Sequence, residues 1–162
     1  MAYLLDANVF INAKNLHYGF EFCPAYWEWI IREHRAGRVF SIDRVGDEIA
    51  AMDDELSEWS SQLDEGFFLT PGTSTMPALG TVAEWVNTHD RYTPDAKNVF
   101  LQIADYYLVA QALAEGHIVV THEKPENSVH RVKIPNVCLA LKIRYMNPFE
   151  MLRREKARFV LK

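Results

Sequence analysis

Short apolar runs alternate along this chain with longer stretches of helical spacing. Tyr3-Leu4-Leu5 is the first run; it ends on an acid, Asp6, and Val9-Phe10-Ile11 then resumes the apolar pattern. From Pro24 to Ala36 the apolar residues Tyr26, Trp27, Ile30 and Ile31 recur at helical spacing, with Pro24 suited to the first turn and Gly37 to the stop. Val39-Phe40-Ser41-Ile42 predicts a second strand, followed by helices over about Val45 to Met52 and Asp54 to Gln62. Phe67-Phe68-Leu69 fits either a strand or a packed loop.

The second half continues the alternation. Thr70 to Pro77 is turn chemistry, Ala78 to Asn87 predicts a helix, and Asp90 to Asp95 predicts a break. A long helix is expected over about Asn98 to Glu115, stopping at Gly116. Ile118 to Thr121 then reads as a buried strand, Glu123 to Ser128 as a loop, and Val137-Cys138-Leu139 as a last strand after Pro135. Asn147-Pro148 carries an N-cap and a proline at the first helical position, opening a C-terminal helix. Apolar strands interleaved with helices predict an α/β fold whose mainly parallel sheet is covered on both faces. In such sheets, sites lie at the carboxyl ends of the strands.

Composition narrows the class without changing this picture. The 162 residues suit one domain, which we read as 1–162 with a basic C-terminal segment over about 142–162. Two cysteines, Cys23 and Cys138, exclude a disulfide scaffold and a cysteine-based zinc site. There is no run of the ~20 apolar residues that a membrane span needs and no signal-peptide pattern at the start, so a cytoplasmic protein without a membrane partner is expected.

Charge does change the picture. The net −5 hides a division: residues 131–162 carry nine Lys or Arg against two acids, whereas residues 1–130 carry eight against twenty. A basic tail on an acidic body can meet phosphate, or it can be the solvated face of a C-terminal helix. A nucleic-acid ligand near the acidic body would require local neutralisation, for which a divalent cation is the natural agent.

Four acids stand where an explanation is needed. Asp6 lies between two apolar runs at a strand end, where a buried carboxylate is costly unless paired, hydrogen-bonded or metal-bound; capping the next helix is its bland alternative. Glu48 lies beside the Val45, Ile49 and Met52 stripe, with Asp47 competing for any role. Asp105 shares a helical face with Leu101, Leu108, Val109 and Ala112, so an ion pair or a site must hold it. Glu123 follows the strand Ile118–Thr121, where Thr121 could orient a carboxylate or bind a phosphate oxygen. Converging carboxylates raise one another's pKa values, and Mg²⁺ or Mn²⁺ removes that penalty while gripping phosphate oxygens.

Other chemistries find less support. The six histidines show no zinc spacing, and only His122 falls next to a candidate acid. Neither a nucleophile elbow nor a Gly-rich phosphate loop is present. The four tryptophans fall in helical segments and suit the core, while Arg91-Tyr92 and Lys124 are loop candidates for phosphate contact.

The start Leu4-Leu5-Asp6-Ala7-Asn8-Val9-Phe10-Ile11 resembles the opening of PIN domains, the nuclease fold of VapC-type toxins. Val45 to Trp59, Ala104-Asp105 through Ala112, and Ile118 to Glu123 resemble, in order, the segments that carry that family's remaining acids. The likeness covers about residues 3 to 140 and is nearest to a PIN-like branch of undefined function. It implies a three-layer α/β/α sandwich in which Asp6, Glu48, Asp105 and Glu123 hold Mg²⁺ or Mn²⁺ and serve catalysis. It also implies cleavage of single-stranded RNA to a 5′-phosphate and a 3′-hydroxyl, frequent homodimers and often an antitoxin partner, as in type II toxin–antitoxin pairs. Asn8 matches the family's Asp-x-Asn start and would support the first ligand or a phosphate, with Thr121 as a second supporting residue.

The likeness departs at Thr121-His122-Glu123, where the family usually ends on aspartate. Glutamate is one methylene longer, which leaves the second metal position open. That departure, with the acidic body, motivates an alternative: a catalytically weak or inactive scaffold that binds RNA or a protein. A haloacid-dehalogenase-type phosphatase is more distant, since it wants an acid where Asn8 stands.

Overall fold

A computed structural model describes residues 1–161. Five short strands, β1 (Tyr3–Leu5), β2 (Val39–Ile42), β3 (Phe68–Leu69), β4 (Ile118–Val120) and β5 (Tyr145–Met146), form one parallel sheet in the order β3-β2-β1-β4-β5. The three central strands are buried almost throughout, as expected of a sheet covered on both faces. Helices flank the sheet on both sides, giving the three-layer α/β/α sandwich.

Nine α-helices complete the described chain: α1 (Ala7–Asn12), α2 (Pro24–Arg35), α3 (Asp43–Ala50), α4 (Glu55–Ser61), α5 (Thr75–Thr88), α6 (Pro94–Phe100), α7 (Ala104–Glu115), α8 (Ile134–Leu141) and α9 (Pro148–Arg154). A π-helical turn, Ala13–His17, continues α1. Local chemistry sets several boundaries. Asp54 and Ser57 form a reciprocal capping box on α4. Thr93 caps α6 and Asn147 caps α9, each with proline at the first helical position. Gly116, at φ +71°, closes α7 in the left-handed conformation that glycine adopts without strain.

Four expectations are corrected. The 137–139 segment is not a strand but the middle of α8: Ile134, Val137, Cys138 and Leu141 recur at i, i+3, i+4 and i+7, and Pro135 sits in the first turn. The last strand is instead Tyr145–Met146, beyond the scope of the earlier apolar run. The helix expected over 98–115 is two helices, because the chain turns at Leu101–Ile103 between α6 and α7. The expected breaks at 70–77 and 90–95 hold over 70–74 and 90–93 and end early, because helices start at Thr75 and Pro94, where proline belongs to the first turn rather than to a loop. The open choice at Phe67-Phe68-Leu69 resolves as a strand, with Ser41 opposite Phe68 at the sheet edge.

The strand order places the topological switch point between β1 and β4. From β1 the chain moves outward to β2 and β3, then returns to the other side for β4 and β5. The crevice at the carboxyl ends of β1 and β4 is therefore where the fold leaves room for a ligand.

Candidate metal centre

Two sheet ladders extend past the strands and fix the floor of this crevice. The Asp6 amide donates to the Val120 carbonyl at 2.9 Å, and the Thr121 amide donates to the Met146 carbonyl at 3.0 Å. Asp6 and Thr121 thus leave neighbouring strands side by side. The Thr121 hydroxyl donates to Asp6 Oδ2 at 2.8 Å. It accepts from Asn8 Nδ2 at 3.3 Å and from the Glu123 amide at 3.1 Å, so its one proton and both lone pairs are engaged. Asn8 Oδ1 in turn accepts from the His122 amide at 3.2 Å. Although Asp6 occupies the N-cap position of α1, its side chain makes no capping hydrogen bond and turns into the crevice network instead.

Asp105 enters from the first turn of α7. The turn at Leu101–Ile103 brings it there, so Leu101 does not share its helix, whereas Leu108, Val109 and Ala112 do and are fully buried. Glu123 enters from the loop after β4. Its Oε1 accepts from the Ile134 amide at 3.0 Å, which caps α8 where Pro135 offers no N–H. Carboxylate oxygens of Asp6, Asp105 and Glu123 lie within 4.8 Å of one another. Glu48, on α3 and exposed, lines the same cavity of about 270 Å³, but its carboxylate stands outside that group of three. Asp47 lines an adjoining cavity rather than this one.

The electrostatics are unbalanced. Two full charges at this separation repel by roughly 3 kcal/mol at an effective dielectric of about 20. The nearest cation is Arg131, 3.8 Å from Glu123 Oε2, and its side chain is 62% exposed. A long pair with one partner so exposed contributes about 0–1 kcal/mol. The starts of α7 and α8 add favourable dipoles. Even so, Asp6 is pushed up to about 8, first by burial and then by the Asp105 charge, against the lowering effect of the Thr121 hydroxyl. Burial and the Glu123 charge push Asp105 up to about 7. The cluster therefore holds either protons or a cation. An all-carboxylate donor set with no thiol or imidazole fits a hard, oxygen-seeking divalent ion.

The remaining expected residues fall in different places. His122 is half-buried, stacks on His17 with ring centroids 5.8 Å apart and meets the edge of Phe149; burial and His17 lower its pKa. Tyr92 is buried against Trp85 and His89, and neither Arg91 nor Lys124 lines the acidic cavity. Trp27 and Trp29 are core residues, while Trp59 and Trp85 pack half-buried against it. The Cys138 thiol is buried and pushed up to about 12, which removes it as a nucleophile. Arg131, Ile103 and Ala104 also line the acidic cavity. Arg131 belongs to the basic stretch read from the charge pattern, but only the fold places it at the acids.

Removing the hydroxyl that orients Asp6 tests the network. Thr121→Val is expected to weaken Mn²⁺ binding by roughly 10–100-fold, the usual effect of losing a partner that orients a ligand. Calorimetric titration reads it; an unchanged affinity would mean that Thr121 merely fills space.

The fold and its acidic crevice define a parallel α/β protein with a carboxylate cluster at the switch point of its sheet. The family model described as Domain of unknown function (DUF4411) matches residues 3–159, and the chain belongs to that family. No curated protein and no solved structure matches it significantly.

Proposed function

We propose that this protein is a divalent-metal-dependent endoribonuclease of PIN type, with Asp6, Asp105 and Glu123 as ligands of Mg²⁺ or Mn²⁺. The supporting observation is the convergence of three carboxylates at the switch point with one exposed arginine as their nearest counter-charge. When bound, such an ion polarises a phosphoryl oxygen and makes a water nucleophilic near neutral pH.

The chain's own groups divide the remaining work. Thr121 and Asn8 hold Asp6 in one orientation. The Ile134 amide anchors one oxygen of Glu123 and leaves the other facing the cavity beside Arg131. Arg131 offers N–H donors to a phosphate that enters the acidic cavity. Glu48, set back on the wall, suits a wider or water-separated role. An antitoxin partner, a homodimer and a cytoplasmic setting belong to the same reading.

The anchored Glu123 also favours a second reading. A carboxylate that caps α8 has a structural reason to be there, which suits a scaffold that binds RNA or a protein without cutting. Cleavage of a single-stranded RNA mixture in Mn²⁺, with calorimetry on wild type and Asp105→Asn, decides between them. Metal binding and cleavage that are both lost in Asp105→Asn support the nuclease. RNA binding with no cleavage and no dependence on metal supports the scaffold.

A further inference from the structure

Two more cavities adjoin the acidic one, and Ile103, at the N-cap of α7 and 38% exposed, lines all three. One, of about 380 Å³, shares Glu48, Ile103 and Ala104 with the acidic site and adds Arg44 and Asp47. The other, of about 210 Å³, shares Ile103 and Arg131 and is walled by Val99, Phe100 and Val132. The three cavities thus cluster around Ile103, two of them next to the acidic one. A small phosphomonoester needs only the acidic cavity, whereas a polymer can reach its neighbours as well.

The two neighbours differ in chemistry. In the first, the Arg44 guanidinium lies over the Tyr107 ring, 3.6 Å from its centroid. Stacking fixes the plane of the group and leaves its N–H donors free for a phosphate. The second is mainly apolar, with Asp95, His130 and Arg131 as its polar lining. Val99 is 59% exposed there, an apolar surface beside a site suited to phosphate chemistry. The part of a nucleotide that matches an apolar hollow is the face of its base, and the polar lining of the hollow matches the rim of that base.

We infer that the hollow bounded by Val99, Phe100, Ile103 and Val132 receives one unpaired nucleobase of a single-stranded RNA, while Arg131 and Arg44 hold phosphates beside the acids. Both the RNA and the cut bond rest on the reading under Proposed function. A duplex keeps its bases stacked and paired, so it cannot fill the hollow without extruding one.

The test titrates labelled RNA hexamers of A, C, G and U, and an RNA duplex, against the full chain in Mn²⁺. Fluorescence anisotropy reads binding, and the same samples on a denaturing gel read cleavage. Single strands are expected to bind at least roughly tenfold tighter than the duplex, with a preference among the four bases. Val99→Asp and Val99→Trp, one charging and one filling the hollow, are each expected to erase that preference while Mn²⁺ affinity stays unchanged. Arg44→Ala is expected to weaken all four hexamers alike and to flatten the salt dependence by about 0.7 in log–log slope, one phosphate contact on a single strand. Wild-type affinity and base order in both Val99 variants would overturn the inference, as would equal binding of the duplex or no binding of any single strand. A preference that depends on Val99 without cleavage would keep the hollow and sink the nuclease; cleavage indifferent to Val99 would do the reverse.

Discussion

Asp6→Asn is expected to abolish Mn²⁺ binding and RNA cleavage and, in the same protein, to raise the melting temperature of the metal-free form. The loss of activity follows from position: Asp6 is the most buried of the three acids and the one held by the Thr121 hydroxyl. Loss of such an electrostatic group costs on the order of 10²–10³-fold or more in rate. The gain in stability has a separate cause. At neutral pH the native state keeps Asp6 among the Asp105 and Glu123 carboxylates. Asparagine has nearly the same shape, still accepts the Thr121 proton, and places an amide N–H₂ where two carboxylates can accept from it. A gain of about 2 kcal/mol corresponds to roughly 4–8 °C for a chain of this size. Scanning calorimetry in a chelator, beside a cleavage assay, checks both halves. A lower melting temperature together with undiminished cleavage would mean that Asp6 is a structural acid.

Burial and charge pull in opposite directions at that residue, and this opposition makes it legible in the sequence. An acid between Leu5 and the Val9-Phe10-Ile11 run breaks the apolar pattern where the pattern is otherwise strongest. Asp105 was legible for a related reason, since Leu108, Val109 and Ala112 mark its helix face as core. The break in the helix around it is not legible, because nothing in Val99 to Ile103 resembles a breaker; the turn there accompanies the packing of α7 along α5. The 137–139 segment failed differently. Val137-Cys138-Leu139 is short and apolar enough for a strand, and the period that identifies α8 shows only when Ile134 and Leu141 are counted. Its end carried no glycine signal, since Lys142 takes the left-handed position at φ +59°. Arg131 and Ile103 could not be read in advance, because their role depends on which loops meet over the switch point. Three of the four acids converge, and Glu48 stands back on the wall, a difference that spacing along one helix does not encode.

Between pH 5 and 8 the metal-free protein is expected to become less stable, and saturating Mn²⁺ is expected to reverse that trend. The sign comes from Asp6 and Asp105. Their ordinary carboxyl value is 3.8, and the fold raises them to about 8 and about 7. In the unfolded chain both release their protons near pH 4, whereas in the native state they keep them longer. Through that window the native state binds more protons, so stability falls as pH rises, and the loss is complete only about one unit above the higher of the two values. A divalent ion binds the deprotonated acids, so its affinity rises over the same interval. At a concentration 100 times its dissociation constant it adds about 2.7 kcal/mol, or roughly 5–11 °C for a chain of this length. The melting temperature in chelator should therefore decline from pH 5 to pH 8, while the increment due to Mn²⁺ grows. Asp105→Asn should flatten both slopes, because it removes one titrating acid and one ligand together. Parallel curves with and without Mn²⁺ would show that the carboxylates do not take the ion, and a decline unchanged in Asp105→Asn would assign the pH dependence to other groups.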